Sequence, residues 1–249
     1  MDALTIAAAS GLRSRMTSLD LMANNLANSA TTGFKRDQEF YGVYASDESD
    51  DPMNGGASST LPVVEKQWTD FSPGTLQITG NPLDVALDGS GNAFFAVNGP
   101  NGTLYTRAGN LRVLPSGQLG TADGYVLRGA GGAAIQVASG KPITIASDGT
   151  VSQSGQPVGH IEVDSFKSTD SLQKMGSAYF QNTDVKNPAV AATGVAVQQG
   201  KVENSNVPVA EAAMSLVGTM RQFEMLQKAI SVSSDMDSKT IQEVARVGS

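Results

Sequence analysis

The sequence predicts an α+β chain: a discontinuous domain made of two terminal helices that pair as a coiled coil, and a central all-β domain of antiparallel sandwich or barrel type. Three observations carry this. The two ends, residues 3–28 and about 207–247, share the four-three spacing of apolar residues that marks a coiled-coil seam. Between them, 23 of the 27 glycines fall in residues 42–200 and nine of the 10 prolines in residues 52–188, so turn chemistry is concentrated where the helical period is absent. Charged residues make up only 16% and aromatics only 6%, which suits small-residue β-structure with polar turns better than a compact enzyme. The expected divisions are 1–35 for an N-terminal helix and turn, 36–75 for a flexible or extended arm, 76–203 for the β-domain and 204–249 for a C-terminal helix. Matching ends invite pairing of the termini and point towards an assembly protein.

In the first helix, Leu12, Met16, Leu19, Ala23 and Leu26 are spaced four, three, four, three. The small residues Ala7, Ala8, Ala9, Ser10 and Gly11 allow another helix to approach closely. The same stripe is equally compatible with a helix packed on the core of its own domain. The helix is expected to stop at Asn24-Asn25-Leu26-Ala27-Asn28, and Gly33 follows in a turn. Asn and Gly tolerate the left-handed backbone of a helix end. Asn24 and Asn28 lie one turn apart, where side-chain amides can bond carbonyls or a neighbouring chain, although a plain cap and turn accounts for them too.

Residues 46–60 are acidic and then small and polar; they read as a solvated loop, and their carboxylates do not have the spacing of a calcium loop. Beyond residue 76 the turn signals Gly80-Asn81-Pro82, Asp88-Gly89, Asn101-Gly102, Asp123-Gly124, Asp148-Gly149 and Ser154-Gly155 separate short strand-like runs such as Leu83–Leu87, Ala93–Val97 and Leu104–Arg107. Such spacing argues for antiparallel hairpins. Asn204-Ser205-Asn206 then supplies capping residues, with Pro208 tolerated in a first helical turn. Ala213, Leu216, Met220 and Phe223 repeat the four-three spacing, Gln227 interrupts it and Ile230 resumes it. Helices of this kind take most of their order from packing.

Composition and motifs exclude several functions. The formal net charge of −7, with no long basic run, argues against nucleic acid as a partner. There is no cysteine, so disulfides and thiolate chemistry are excluded. No apolar run approaches the ~18 residues a membrane span needs. Asp2 in place of a basic residue, ahead of a short apolar run, is unlike a cleaved secretory signal. The single histidine, His160, has no Gly-x-Ser-x-Gly nucleophile motif to serve, and no His, Cys and carboxylate cluster suggests a metal. No catalytic residue, metal ligand or cofactor is expected. The contrasting reading, a secreted binding or hydrolytic module working through the β-domain surface, would show as sensitivity to changing His160.

The run Leu19-Asp20-Leu21-Met22-Ala23-Asn24-Asn25-Leu26-Ala27-Asn28-Ser29-Ala30-Thr31-Thr32-Gly33-Phe34-Lys35 resembles the signature of flagellar basal-body rod and hook proteins. Gly74–Leu87, Tyr105-Thr106-Arg107-Ala108-Gly109-Asn110, Gly117–Tyr125 and Gly200-Lys201-Val202-Glu203-Asn204-Ser205-Asn206-Val207 resemble further stretches of the same family, so the likeness covers nearly the whole chain. The length and single β-region resemble the rod proteins more than the larger hook protein, and Arg221–Lys228 resembles the proximal rod branch more than the distal one. The resemblance implies a non-enzymatic subunit of the axial drive shaft, assembling with copies of itself and with other rod and hook proteins. It implies export through the flagellar apparatus without signal cleavage, and a periplasmic position in the basal body. It assigns Leu12, Met16, Leu19, Leu26, Leu216, Met220, Phe223 and Ile230 to the assembly interface, and Asn24, Asn25, Asn28 and Gly33 to register and turn.

Overall fold

In the computed structural model, which describes residues 3–45 and 60–247, the chain divides into two units. The first takes Met1–Leu26, Asp37–Trp68 and Pro208–Ser249; the second takes Ala27–Arg36 and Thr69–Val207. Each is therefore assembled from segments distant in sequence. The acidic stretch 46–59 lies outside the described residues.

The first unit contains helix α1 (Ala3–Ala27) and helix α2 (Val209–Val247), as expected from the two matching ends. The strands Asp37–Ala45 and Thr60–Thr69 form a two-stranded sheet, so much of the segment expected as an arm is β-structure. Phe40, Tyr41, Val43 and Tyr44 make the first of these strands a good β-former.

The contacts between α1 and α2 run in opposite chain directions: Gly11 faces Leu226, and Thr219 Oγ1 donates to Met22 Sδ at 3.6 Å. On α1 the buried positions Ser14, Ser18 and Asn25 share a face with Gly11 and Met22. That face lies about a quarter turn or more from the stripe Leu12, Met16, Leu19, Ala23, Leu26, at about 100° per residue. Met16 is 58% exposed, Ala23 is exposed, and Leu12, Leu19 and Leu26 are half-buried. Small side chains rather than leucines define the inward face because they permit the closest approach of two backbones. On α2, Ala213, Leu216, Phe223, Leu226 and Ile230 are half-buried. Met220 is 47% exposed, and Thr219, 6% exposed, takes the inward position expected of it. Among the described residues no helix is long and apolar enough to cross a membrane.

The second unit is the β-domain, with several antiparallel sheets. Its largest sheet holds nine strands, ordered Leu172–Lys174, Tyr179–Asn182, Gly102–Thr106, Ala93–Gly99, Val126–Leu127, Leu119–Thr121, Leu111–Val113, with Val163–Ser165 and Val190–Ala191 branching from Ala93–Gly99. The strand Ala93–Gly99 organises it, because its first five residues are fully buried. Alternation sends Ala93, Phe95 and Val97 into a large aliphatic core with Leu119, Leu127 and Val151. Phe94 and Ala96 face a second, aromatic core. There Phe71 meets Phe180 and Tyr105 meets Phe166, at 4.9 and 4.8 Å between ring centres, in edge-to-face geometry. A three-stranded sheet (Ile143–Ile145, Thr150–Gln153, Gln156–His160) turns through Ser154-Gly155, both with positive φ, as a two-residue hairpin of this hand requires.

Two short ladders bring the end of the domain back to its start. Ala196–Gln199 pairs with Val85–Asp88, and Lys201–Glu203 pairs with Leu76–Ile78. The second sets Glu203 opposite Leu76, next to the residues that link the two units.

Candidate functional site

The site is a buried junction inside the β-domain where the connector leaving α1 meets the connector leading to α2. Its first layer is backbone. Asn28 to Thr31 closes a turn, with Thr31 N donating to Asn28 O at 3.0 Å and Thr31 Oγ1 to Asn28 Oδ1 at 3.2 Å. Gly33 follows with φ +68°, and its amide donates to Glu203 O at 2.7 Å. Asn206 N donates to Phe34 O at 3.3 Å, and Arg36 N donates to Asn206 Oδ1 at 2.8 Å. Asn206 Nδ2 donates to Asp70 O and Ser72 O at 2.8 and 3.1 Å. Three segments distant in sequence, 33–36, 70–72 and 203–206, are laced together this way.

The second layer is ionic. The side chains of Lys35, Arg107 and Glu203 are essentially inaccessible to solvent. Lys35 Nζ lies 2.5 Å from Glu203 Oε1, and Arg107 Nη1 lies 3.0 Å from Glu203 Oε2. The remaining capacity is largely filled. Lys35 Nζ also donates to Ser72 O at 2.7 Å, Gly74 N donates to Glu203 Oε1 at 2.9 Å, and Arg107 Nη2 donates to Ser90 O. Arg107 Nε is without a hydrogen bond among the described residues. The Arg107 guanidinium stands 5.6 Å from the Phe94 ring centre, within cation–π reach. Phe34 is buried too, with Lys174 Nζ 4.3 Å over its ring and donating to Lys35 O. Two cations thus share one carboxylate. Burial pulls the Lys35 ammonium and the Arg107 guanidinium below their ordinary pKa values, and the Glu203 charge opposes that in both.

Asp70 sits at the edge of this junction. Burial alone would raise its pKa, but the Ser72 amide on Oδ1 (2.9 Å) and the Arg36 Nε on Oδ2 (3.0 Å) outweigh it and hold the carboxyl below the ordinary 3.8. A folded value below the unfolded one means that the contribution is complete above about pH 3.8 and is lost as pH falls through the folded value. The stability difference between wild type and Asp70→Asn should therefore be flat near neutrality and shrink below about pH 4. A difference that stays constant down to about pH 2 in acid-titrated urea unfolding would refute this.

Of the residues expected for register and turn, Asn25 and Gly33 have the tightest constraints. The Asn25 side chain bridges helix and strand in the helical unit: Nδ2 donates to Asp37 O at 2.7 Å, and Asp37 N donates to Oδ1 at 2.9 Å. It replaces one rung of a backbone ladder. Asn28 caps the turn described above, and Asn24 is exposed. A Cβ on Gly33 would fall 2.3 Å from Ala108 N. Lys35, Arg107 and Glu203 each stand inside a quoted family motif, yet nothing in those motifs says that the three meet. The only signal was a charged residue beside one apolar neighbour at each position, Phe34 for Lys35, Ala108 for Arg107 and Val202 for Glu203. His160 is exposed, and its neighbour Glu162 is engaged by Arg128 (3.2 Å) and the Gly132 amide (3.1 Å).

Comparison with known proteins identifies the class. Residues 89–153 match the family profile described as the flagellar hook protein FlgE/F/G D1 domain, and residues 198–243 match the flagellar basal body rod FlgEFG protein C-terminal profile. The first lies in the β-domain; the second spans its closing strands, Glu203 and most of α2. The chain is 32% identical to the basal-body rod protein FlgG of Buchnera aphidicola subsp. Acyrthosiphon pisum over 256 residues, covering 93% of this chain and 96% of that protein. It is 33% identical to FlgF of Salmonella typhimurium over 236 residues (88% and 89% covered). It is 32% identical to FlgF of Mesorhizobium japonicum over 230 residues (90% and 91% covered). The chain belongs to the flagellar basal-body rod protein family, a family of structural subunits.

Proposed function

We propose that this chain builds the flagellar rod by packing the outward face of α2 against neighbouring subunits, copies of itself and other rod and hook proteins among them. One observation carries the reading. Away from its packed face, α2 presents a second apolar stripe, Met214, Gly218, Met225, Ala229 and Val232, spaced four, seven, four and three and exposed throughout. Met214 and Met225 are 70% and 64% exposed. A helix apolar on two faces has more partners than its own unit supplies, and methionine adapts to several of them. Met16 and Met220 add apolar surface beyond the intramolecular contact. In this reading the subunit has no catalytic role. It passes through the flagellar export apparatus to the periplasm, and the terminal helices complete a coiled-coil layer only with neighbours.

Within the family, Arg221–Lys228 favours the proximal, FlgF-like branch: its sequence resembles that branch more than the distal one, and it is exposed at six of its eight positions, where it can select a neighbour.

Met214→Glu combined with Met225→Glu tests the proposal, since both side chains leave the intramolecular packing untouched. The purified double variant should keep wild-type helicity and melting but fail to enter assembled basal bodies. Incorporation at the wild-type level would overturn the reading.

A further inference from the structure

The junction implies a mechanical property that rod membership does not. We propose that Lys35, Glu203 and Arg107 form a closure latch, so that the two connectors flanking the β-domain open together with its opening segment and neither leaves alone. The argument is one of charge and shared bonds. Glu203 uses both carboxylate oxygens: Oε1 holds Lys35 and the Gly74 amide, and Oε2 holds Arg107. Its backbone carbonyl holds the Gly33 amide. Withdrawing the 203–206 segment therefore strands two buried cations against each other and frees the amides of Gly33 and Gly74 at the same time. Withdrawing 33–36 instead leaves Glu203 matched one to one with Arg107 but strips the carbonyls of Glu203 and Ser72 and the Asn206 side chain of the donors they hold, the Gly33 amide, Lys35 Nζ and the Arg36 amide. Each half-open state strands buried polar groups that the closed state pairs and the fully open state solvates, so partial opening is disfavoured relative to both. The three charges lie at positions 35, 107 and 203, so a chain delivered from its amino end cannot close the domain until its last strand arrives.

Native-state hydrogen exchange on the full chain reads this directly. In the wild type, the amides of Gly33, Gly74, Asn204 and Asn206 should exchange through one opening, with rates corrected for intrinsic exchange agreeing within about threefold. Glu203→Gln should accelerate all four together by roughly 100- to 1,000-fold or more. Lys35→Met should accelerate all four together by a smaller factor. If Gly33 and Asn206 exchange ten or more times faster than Gly74 in the wild type, the connectors open independently and the latch is refuted. The same follows if Lys35→Met accelerates Gly33 while Gly74 and Asn204 keep their wild-type rates. Should Glu203→Gln fail to fold, the wild-type and Lys35→Met measurements decide by themselves.

Discussion

Glu203→Gln should destabilise the β-domain by about 3–5 kcal/mol, and adding Lys35→Met should recover part of the loss. The asymmetry follows from the composition of the cluster, two cations around one anion, all excluded from water. Removing the anion leaves Lys35 and Arg107 buried, close and uncompensated, which is the costly way to break a buried ion pair. Removing Lys35 leaves Glu203 and Arg107 matched one to one, so Lys35→Met alone should cost only about 1–2 kcal/mol, mainly for hydrogen bonds lost to Glu203 and Ser72. In the double variant one of the two stranded cations is gone, and the double change should be milder than Glu203→Gln alone. Near-ultraviolet circular dichroism during urea unfolding is suited to the measurement, because Tyr105, Tyr125 and Tyr179 lie in the β-domain and the single tryptophan, Trp68, lies in the helical unit. Equal losses for Lys35→Met and Glu203→Gln, or simple additivity in the double variant, would show that the three charges do not act as one cluster.

Gly33→Ala is the second large effect. Gly33 has φ +68°, a region that costs an L-residue roughly 1–2 kcal/mol. The decisive term is steric. A Cβ there would lie 2.3 Å from Ala108 N and 2.4 Å from the Arg107 carbonyl carbon, and both are backbone atoms that no rotamer change can move. The segment carrying Arg107, just past the strand Gly102–Thr106, or the connector carrying Lys35 must shift, and either shift pulls on the ionic cluster. The expected loss exceeds about 3 kcal/mol, the upper range of overpacking penalties. Gly131→Ala is the matched control, since Gly131 has φ +71° and open space where its Cβ would go. It carries the backbone penalty alone, on the order of 1 kcal/mol. If the two alanine variants melt at the same urea concentration, the close approach at Gly33 is not what constrains it.

The helices show how far period can be read. Both were evident from spacing, and α2 runs close to its expected limits. The inward register was harder. Met220 is more apolar than Thr219, so the stripe drawn through Met220 then met Gln227 and broke. The packed positions Leu216, Thr219, Phe223, Leu226 and Ile230 are spaced three, four, three, four without interruption. Regular spacing was the better guide than hydrophobicity, because a small polar residue is welcome where two helices come close. On α1 the same effect moved the packed face to Gly11, Ser14 and Ser18, which carry no hydrophobic signal at all.

The sequence by itself determined the order and kind of the elements, the concentration of turns at Asp-Gly and Ser-Gly pairs, and membership of the rod family. These depend on neighbours a few residues apart, and local spacing and backbone preference encode them. Tertiary structure alone decided that residues 27–36 belong to the β-domain, that the segment after α1 forms a two-stranded sheet, and that Lys35, Arg107 and Glu203 share one buried site. The reason is distance along the chain. A lysine, an arginine and a glutamate separated by 72 and 96 residues look like ordinary solvated charges until the strand pairing of Lys201–Glu203 with Leu76–Ile78 brings them together and excludes water.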